Sequence, residues 1–111
     1  MSKPRDDSVY LGHIRDAIAR IESYLQGVSE AEFLDTPMVQ DAVMHQIQII
    51  GEAASRVSVS SKAQSNHIPW RDIIGMRSKL VHDYMGVDLE AVWETARKDI
   101  PVLKSALNNL G

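Results

Sequence analysis

The segment Arg77-Ser78-Lys79-Leu80-Val81-His82-Asp83-Tyr84 places a permanent cation, an imidazole and a phenol within about two helical turns. An imidazole, with an ordinary pKa of about 6.5, can take up and release a proton near neutrality. A guanidinium can hold two oxygens of one oxyanion. Together they suit proton transfer at a negatively charged centre. At about 100° per residue, Trp70, Ile73, Ile74, Leu80, Val81 and Tyr84 share one apolar face, and Arg77 falls in the middle of it. Burying an unpaired guanidinium would cost several kcal/mol, so Arg77 is either paired or directed at a cleft or subunit interface where an anion arrives.

The spacing also limits how the trio can act. Arg77 and Tyr84 point the same way, whereas Arg77 and His82 diverge by about 140° on a regular helix. One straight helix cannot bring both to one phosphate. Either the helix unwinds near His82, or a second copy supplies the missing partner across a two-fold axis. A dimer with local irregularity is expected, and Gly75 fits either close backbone approach or a tolerated helical glycine.

The elements that must position these residues are helical. A first helix is expected from about Ser8 to Gln26, capped by Asp7 or Ser8 and stopped by Gly27, with Tyr10, Leu11, Ile14, Ala17, Ile18, Ile21 and Leu25 on its apolar face. Ser29 to Phe33 can make a further turn. Thr36 and Pro37 open a second main helix that runs to about Val57. Val39, Val43, Ile47, Ile50, Ala54 and Val57 line one side of it, and Asp41, His45, Gln48, Glu52 and Arg56 the other. Residues 58–66 read as a polar connecting loop. A third helix is expected from about Pro69 to Tyr84, ending before Gly86, and a fourth opens at Asp88 and is kinked or broken by Pro101. Trp70 and Trp93 read as core or dimer-interface aromatics. The expectation is an all-α, up-and-down bundle of four main helices with one short extra helix, forming a single domain over residues 1–111 in which 1–7 are a flexible tail.

Composition narrows the function classes. The chain has 111 residues and no cysteine, so thiolate metal sites and disulfides are excluded and a cytoplasmic location is expected. No apolar run nears the roughly 20 residues that span a bilayer. Net charge is −3, yet residues 56–82 set Arg56, Lys62, Arg71, Arg77 and Lys79 against the single acid Asp72. That surplus of four leaves −7 for the rest of the chain and marks a basic segment suited to phosphate contacts. Asp41, His45 and Glu52 have helical spacing that a bundle metal could use in principle, but no metal site or cofactor is expected.

These elements together resemble the HepT-like branch of the HEPN domains. The resemblance rests on the Arg77–Tyr84 segment, on Ile49-Ile50-Gly51-Glu52-Ala53-Ala54 before it, on Pro69-Trp70-Arg71-Asp72-Ile73, and on Val87-Asp88-Leu89-Glu90 with Val92-Trp93 after it. It covers about Tyr10 to Leu107. It implies an all-α bundle, a homodimer with its motifs facing a shared cleft, and a metal-independent endoribonuclease acting as the toxin of a toxin–antitoxin pair. It further implies a minimal nucleotidyltransferase antitoxin that adenylylates the motif tyrosine, here Tyr84. Many relatives carry a more strongly polar residue where this chain has Ser78, which puts rate or RNA preference in question.

On this reading Arg77 and His82 are catalytic. Tyr84 is the modification site or a phosphate contact, Ser78, Asp83 and Glu52 support or orient, and Lys79, Arg71 and Arg56 contact the RNA backbone. A different class of function uses the same residues for recognition alone, as a non-catalytic helical module that binds a nucleotidyltransferase. Each residue also has a structural role open to it: Arg77 paired with Glu52, His82 at a helix end, Tyr84 in the core, and the lysines on a solvated face.

Overall fold

A computed structural model describes residues 4–75 and 88–108. Arg77, Ser78, Lys79, His82, Asp83 and Tyr84, together with the end of the third expected helix, Gly86 and Leu110, lie outside the described residues. The described residues are helices joined by short turns, with no strand among them. In chain order they are α1 (Pro4–Leu25), α2 (Glu30–Leu34), α3 (Pro37–Arg56), α4 (Val59–Gln64), α5 (helical over 70–75), α6 (Leu89–Glu94), a π-helical turn (Thr95–Asp99) and α7 (Ile100–Asn108). The expected all-α bundle is what the chain forms.

The core follows the 3.6-residue patterning. From α1, Ile14, Ala17, Ile18, Ile21 and Leu25 are buried, and they meet Val43, Ile47, Ile50 and Ala54 of α3 in the most extensive helix pairing of the described fold. Each fully buried aliphatic side chain of this kind contributes about 1.5–3 kcal/mol relative to exposure. Phe33 of α2, with no exposed surface, packs against Trp93 of α6 with ring centroids 5.4 Å apart. Leu103 and Leu107 of α7 close the core.

Helix ends were legible to different degrees. Gly27 stops α1 with φ of 74°, where a side chain would be strained. Ser29 and Glu32 form a reciprocal capping box at α2. Asp88 caps α6 through the N–H groups of Glu90 and Ala91. Thr36 precedes Pro37 as expected, but its hydroxyl makes no cap; it donates back to the Glu32 carbonyl at 2.6 Å and ties α2 to α3.

Three expectations need correction. First, α1 begins at Pro4 and so takes in residues assigned to a flexible tail; Asp7 is not a cap but lies within the helix, 8% exposed. Its Oδ1 accepts from the Ser58 N–H at 2.9 Å, and its Oδ2 from the hydroxyls of Ser58 at 2.7 Å and Ser61 at 2.5 Å. Second, much of the expected polar loop 58–66 is helix α4, because Ser58 caps the Ser61 N–H and Asp7 holds both serines. Third, Pro101 does not break the helical run. The run passes through a π turn, closed by the Ile100 N–H on the Thr95 carbonyl, and continues into α7 with Pro101 as its second residue, so the ring is accommodated where the regular i→i−4 ladder is already interrupted. A Cβ at Gly75 would meet no atom of the described residues within 4 Å.

Candidate functional site

The helix that leads into the motif is anchored at its start by a chain of hydrogen bonds. Trp70 is buried, and its indole N–H donates to the carbonyl and hydroxyl oxygens of Ser65 at 3.2 and 3.3 Å. The Ser65 hydroxyl donates to the Ser61 carbonyl at 2.6 Å, and the Ser61 hydroxyl to Asp7. Carboxylate, two serines and indole thus connect α1, α4 and α5. Ile73, one turn beyond Trp70, is also buried, so the same face of α5 is seated in the core. The Asp7 carboxyl is held below the usual carboxylate range, first by the Ser61 hydroxyl and next by Ser58, against an opposing effect of burial.

Of the residues proposed from sequence, Glu52, Arg56 and Arg71 are described. Arg71 is exposed on α5. Glu52 and Arg56 stand one turn apart on α3, with Arg56 Nε donating to Glu52 Oε2 at 2.9 Å. The guanidinium is pushed further above its already high ordinary pKa by the Glu52 carboxylate and then by the phenol of Tyr10. Arg56 is therefore a fixed cation at an α1–α3 seam.

That seam opens into a groove of about 430 Å³. Tyr10 and His13 line it from α1; His45, Gln48, Glu52 and Arg56 line it from α3, and Ile49 and Ala53 complete it. Tyr10 and His13 are stacked edge to face, with centroids 6.2 Å apart and planes at 80°. Sequence reasoning did not find this site. In the sequence Tyr10 reads only as part of an apolar face, and His13 has no partner at ligand spacing. The pairing of α1 with α3 sets both beside His45, a proximity that spacing along one helix cannot reveal.

Among the described residues no three His, Asp or Glu side chains converge in a way that could hold a metal ion. Trp93 is half-buried, with the Arg97 guanidinium 5.0 Å from its ring centroid, so one face serves the core and the other a cation–π contact. No described helix is long and apolar enough to cross a membrane.

A helical bundle with a basic Arg–His–Tyr segment after a Pro-Trp helix start whose Trp70 is buried defines an all-α, HEPN-like domain. The family model described as "Ribonuclease HepT-like" matches residues 14–110, and the chain belongs to that family. It is 38% identical over 106 residues to the "Probable ribonuclease HepT" of Thermococcus cleftensis, covering 96% of each chain. It is 33% identical over 110 residues to a "Putative RNase" of Caldanaerobacter subterraneus subsp. tengcongensis, covering 99% of this chain and 96% of that one. A Methanocaldococcus jannaschii protein named "Gamma-glutamylcyclotransferase and putative RNase" is 41% identical over 103 residues, which are 93% of this chain. The match spans 46% of that protein, about half its length. No solved structure gives a significant match.

Proposed function

We propose that this protein is a metal-independent endoribonuclease, the toxin of a toxin–antitoxin pair, in which Arg77 and His82 are catalytic. The observation that carries the reading is the HepT-like ribonuclease match over residues 14–110, which contains the whole Arg77–Tyr84 segment.

The chemistry follows from the residue types. The RNA 2′-hydroxyl loses its proton to a base, and its oxygen forms a bond to the adjacent phosphorus. The bond from phosphorus to the 5′-oxygen then breaks, and that oxygen takes a proton from an acid, leaving a 2′,3′-cyclic phosphate and a 5′-hydroxyl. His82 supplies the proton transfers. Arg77 stabilises the extra negative charge on the pentacoordinate phosphorane. In a homodimer with facing motifs one His82 is base and the other acid. Glu52, Ser78 and Asp83 orient this machinery, and Lys79, Arg71 and Arg56 bind the RNA backbone.

Tyr84 lies in the same cleft on this reading, and its adenylylation by a cognate minimal nucleotidyltransferase adds a bulky, charged group that blocks RNA. The protein acts in the cytoplasm. The reading is tested by incubating a mixed RNA pool in chelator with wild type, Arg77→Ala and His82→Ala, with folding followed by circular dichroism and size by light scattering. Cleavage by wild type and none by the folded variants is expected. No cleavage by an unmodified wild-type dimer would favour a recognition module that only binds a nucleotidyltransferase.

A further inference from the structure

We infer that the groove between α1 and α3 is a second RNA subsite, in which a single-stranded nucleotide stacks on Tyr10 and His13 while Arg56 meets its phosphate. The inference rests on the ribonuclease reading for its substrate class. Unpaired RNA is held by stacking on tyrosine, histidine or arginine planes and by hydrogen bonds to base edges. This groove brings together Tyr10, His13, His45, Gln48 and Arg56, the groups that such binding uses, from two helices. Its volume of about 430 Å³ is within the range of small-ligand clefts.

The geometry suits the occupant. Tyr10 and His13 are fixed edge to face, so the two rings do not cover each other's faces as a parallel stack would. Gln48 carries an amide that can donate and accept at a base edge. Charge is complementary as well. Glu52 is the one acid among the described lining residues, and although Arg56 engages it through Nε and also meets the Tyr10 phenol, a guanidinium carries more N–H donors than these two contacts use. Arg56 also opens the basic stretch 56–82 of the sequence. His13, His45 and Arg56 are exposed, which leaves the groove accessible to a polymer.

The test uses the full chain and two readouts. In a His82→Ala background, binding of a fluorescein-labelled 12-nucleotide single-stranded RNA is followed by anisotropy for Tyr10→Leu, Tyr10→Phe and His13→Ala/His45→Ala. In the active background KM and kcat are measured for the same variants. Tyr10→Leu and the double histidine variant should each weaken binding and raise KM by roughly five- to hundredfold, with kcat within about twofold and Tyr10→Phe near wild type. Unchanged binding and KM in folded variants would overturn the subsite while leaving the ribonuclease reading intact. Loss of the dimer in light scattering would instead make the groove a surface for a second copy and overturn the RNA assignment. RNA binding that depends on Tyr10 without any wild-type cleavage would sustain the subsite and remove the nuclease.

Discussion

Asp7 and Ser58, 51 residues apart, are joined twice: Oδ1 takes the Ser58 N–H at 2.9 Å and Oδ2 the Ser58 hydroxyl at 2.7 Å. This contact fastens the start of α1 to the N-terminus of α4, and through Ser61 and Ser65 it reaches Trp70 at the start of α5. Replacing Asp7 with Ala removes a charged acceptor and leaves its donors without their partner. It should destabilise the fold by about 1–3 kcal/mol in urea denaturation.

The same contact gives a pH dependence. The folded pKa of Asp7 lies below the ordinary carboxylate value, so its contribution is fully present above that value and is lost as pH falls through the folded pKa. The stability gap between wild type and Asp7→Asn should be constant from pH 6 to 8 and narrow below about pH 4. A gap that widened on acidification would contradict the assignment.

Phe33 anchors the short α2 helix against Trp93 with no surface exposed. Phe33→Ala should cost about 3–5 kcal/mol, comparable to the whole margin of a small domain, and lower the thermal midpoint sharply.

On the proposed mechanism, Arg77→Ala and His82→Ala each reduce RNA cleavage by at least about 100-fold while the far-ultraviolet dichroism stays unchanged. Chelator should leave the wild-type rate as it is. A rate restored only by added divalent metal would remove metal independence from the reading.

Glu52 separates orientation from stability. Its described ion pair with Arg56 is solvent-exposed, so loss of that pair by itself should alter the unfolding midpoint little in Glu52→Gln. If Glu52 orients the site, kcat should fall about tenfold or more, since modest displacement of catalytic groups is costly. Equal kcat in the two proteins would confine Glu52 to the surface.

Adenylylation is checked by mass spectrometry. Incubation with ATP and the cognate nucleotidyltransferase should add adenylyl groups to wild type and suppress cleavage, whereas Tyr84→Phe should gain no mass and remain uninhibited.

Much of the bundle was written locally. The apolar repeats of α1 and α3, Gly27 as a stop and Asp88 at the start of a helix each depend on residues within a turn or two of one another and appear as read, and the short turn expected at 29–33 forms with a Ser29–Glu32 box that is equally local. The Arg77–Tyr84 segment and its family resemblance were legible for a similar reason, because residue type and spacing along one short stretch carry them.

What tertiary structure decided depends on pairs far apart in the chain. Residues 58–66 hold no apolar period and read as loop, yet α4 forms because Asp7, half a chain away, satisfies its first serines. Pro101 reads as a break, yet the helical run continues through it by way of the π turn that precedes it. The groove of Tyr10, His13, His45 and Arg56 exists only because α1 and α3 pack side by side. Local sequence determines which helices form and which face each buries; the docking of those faces determines which polar side chains become neighbours, because that depends on the rotation and register of one helix against another.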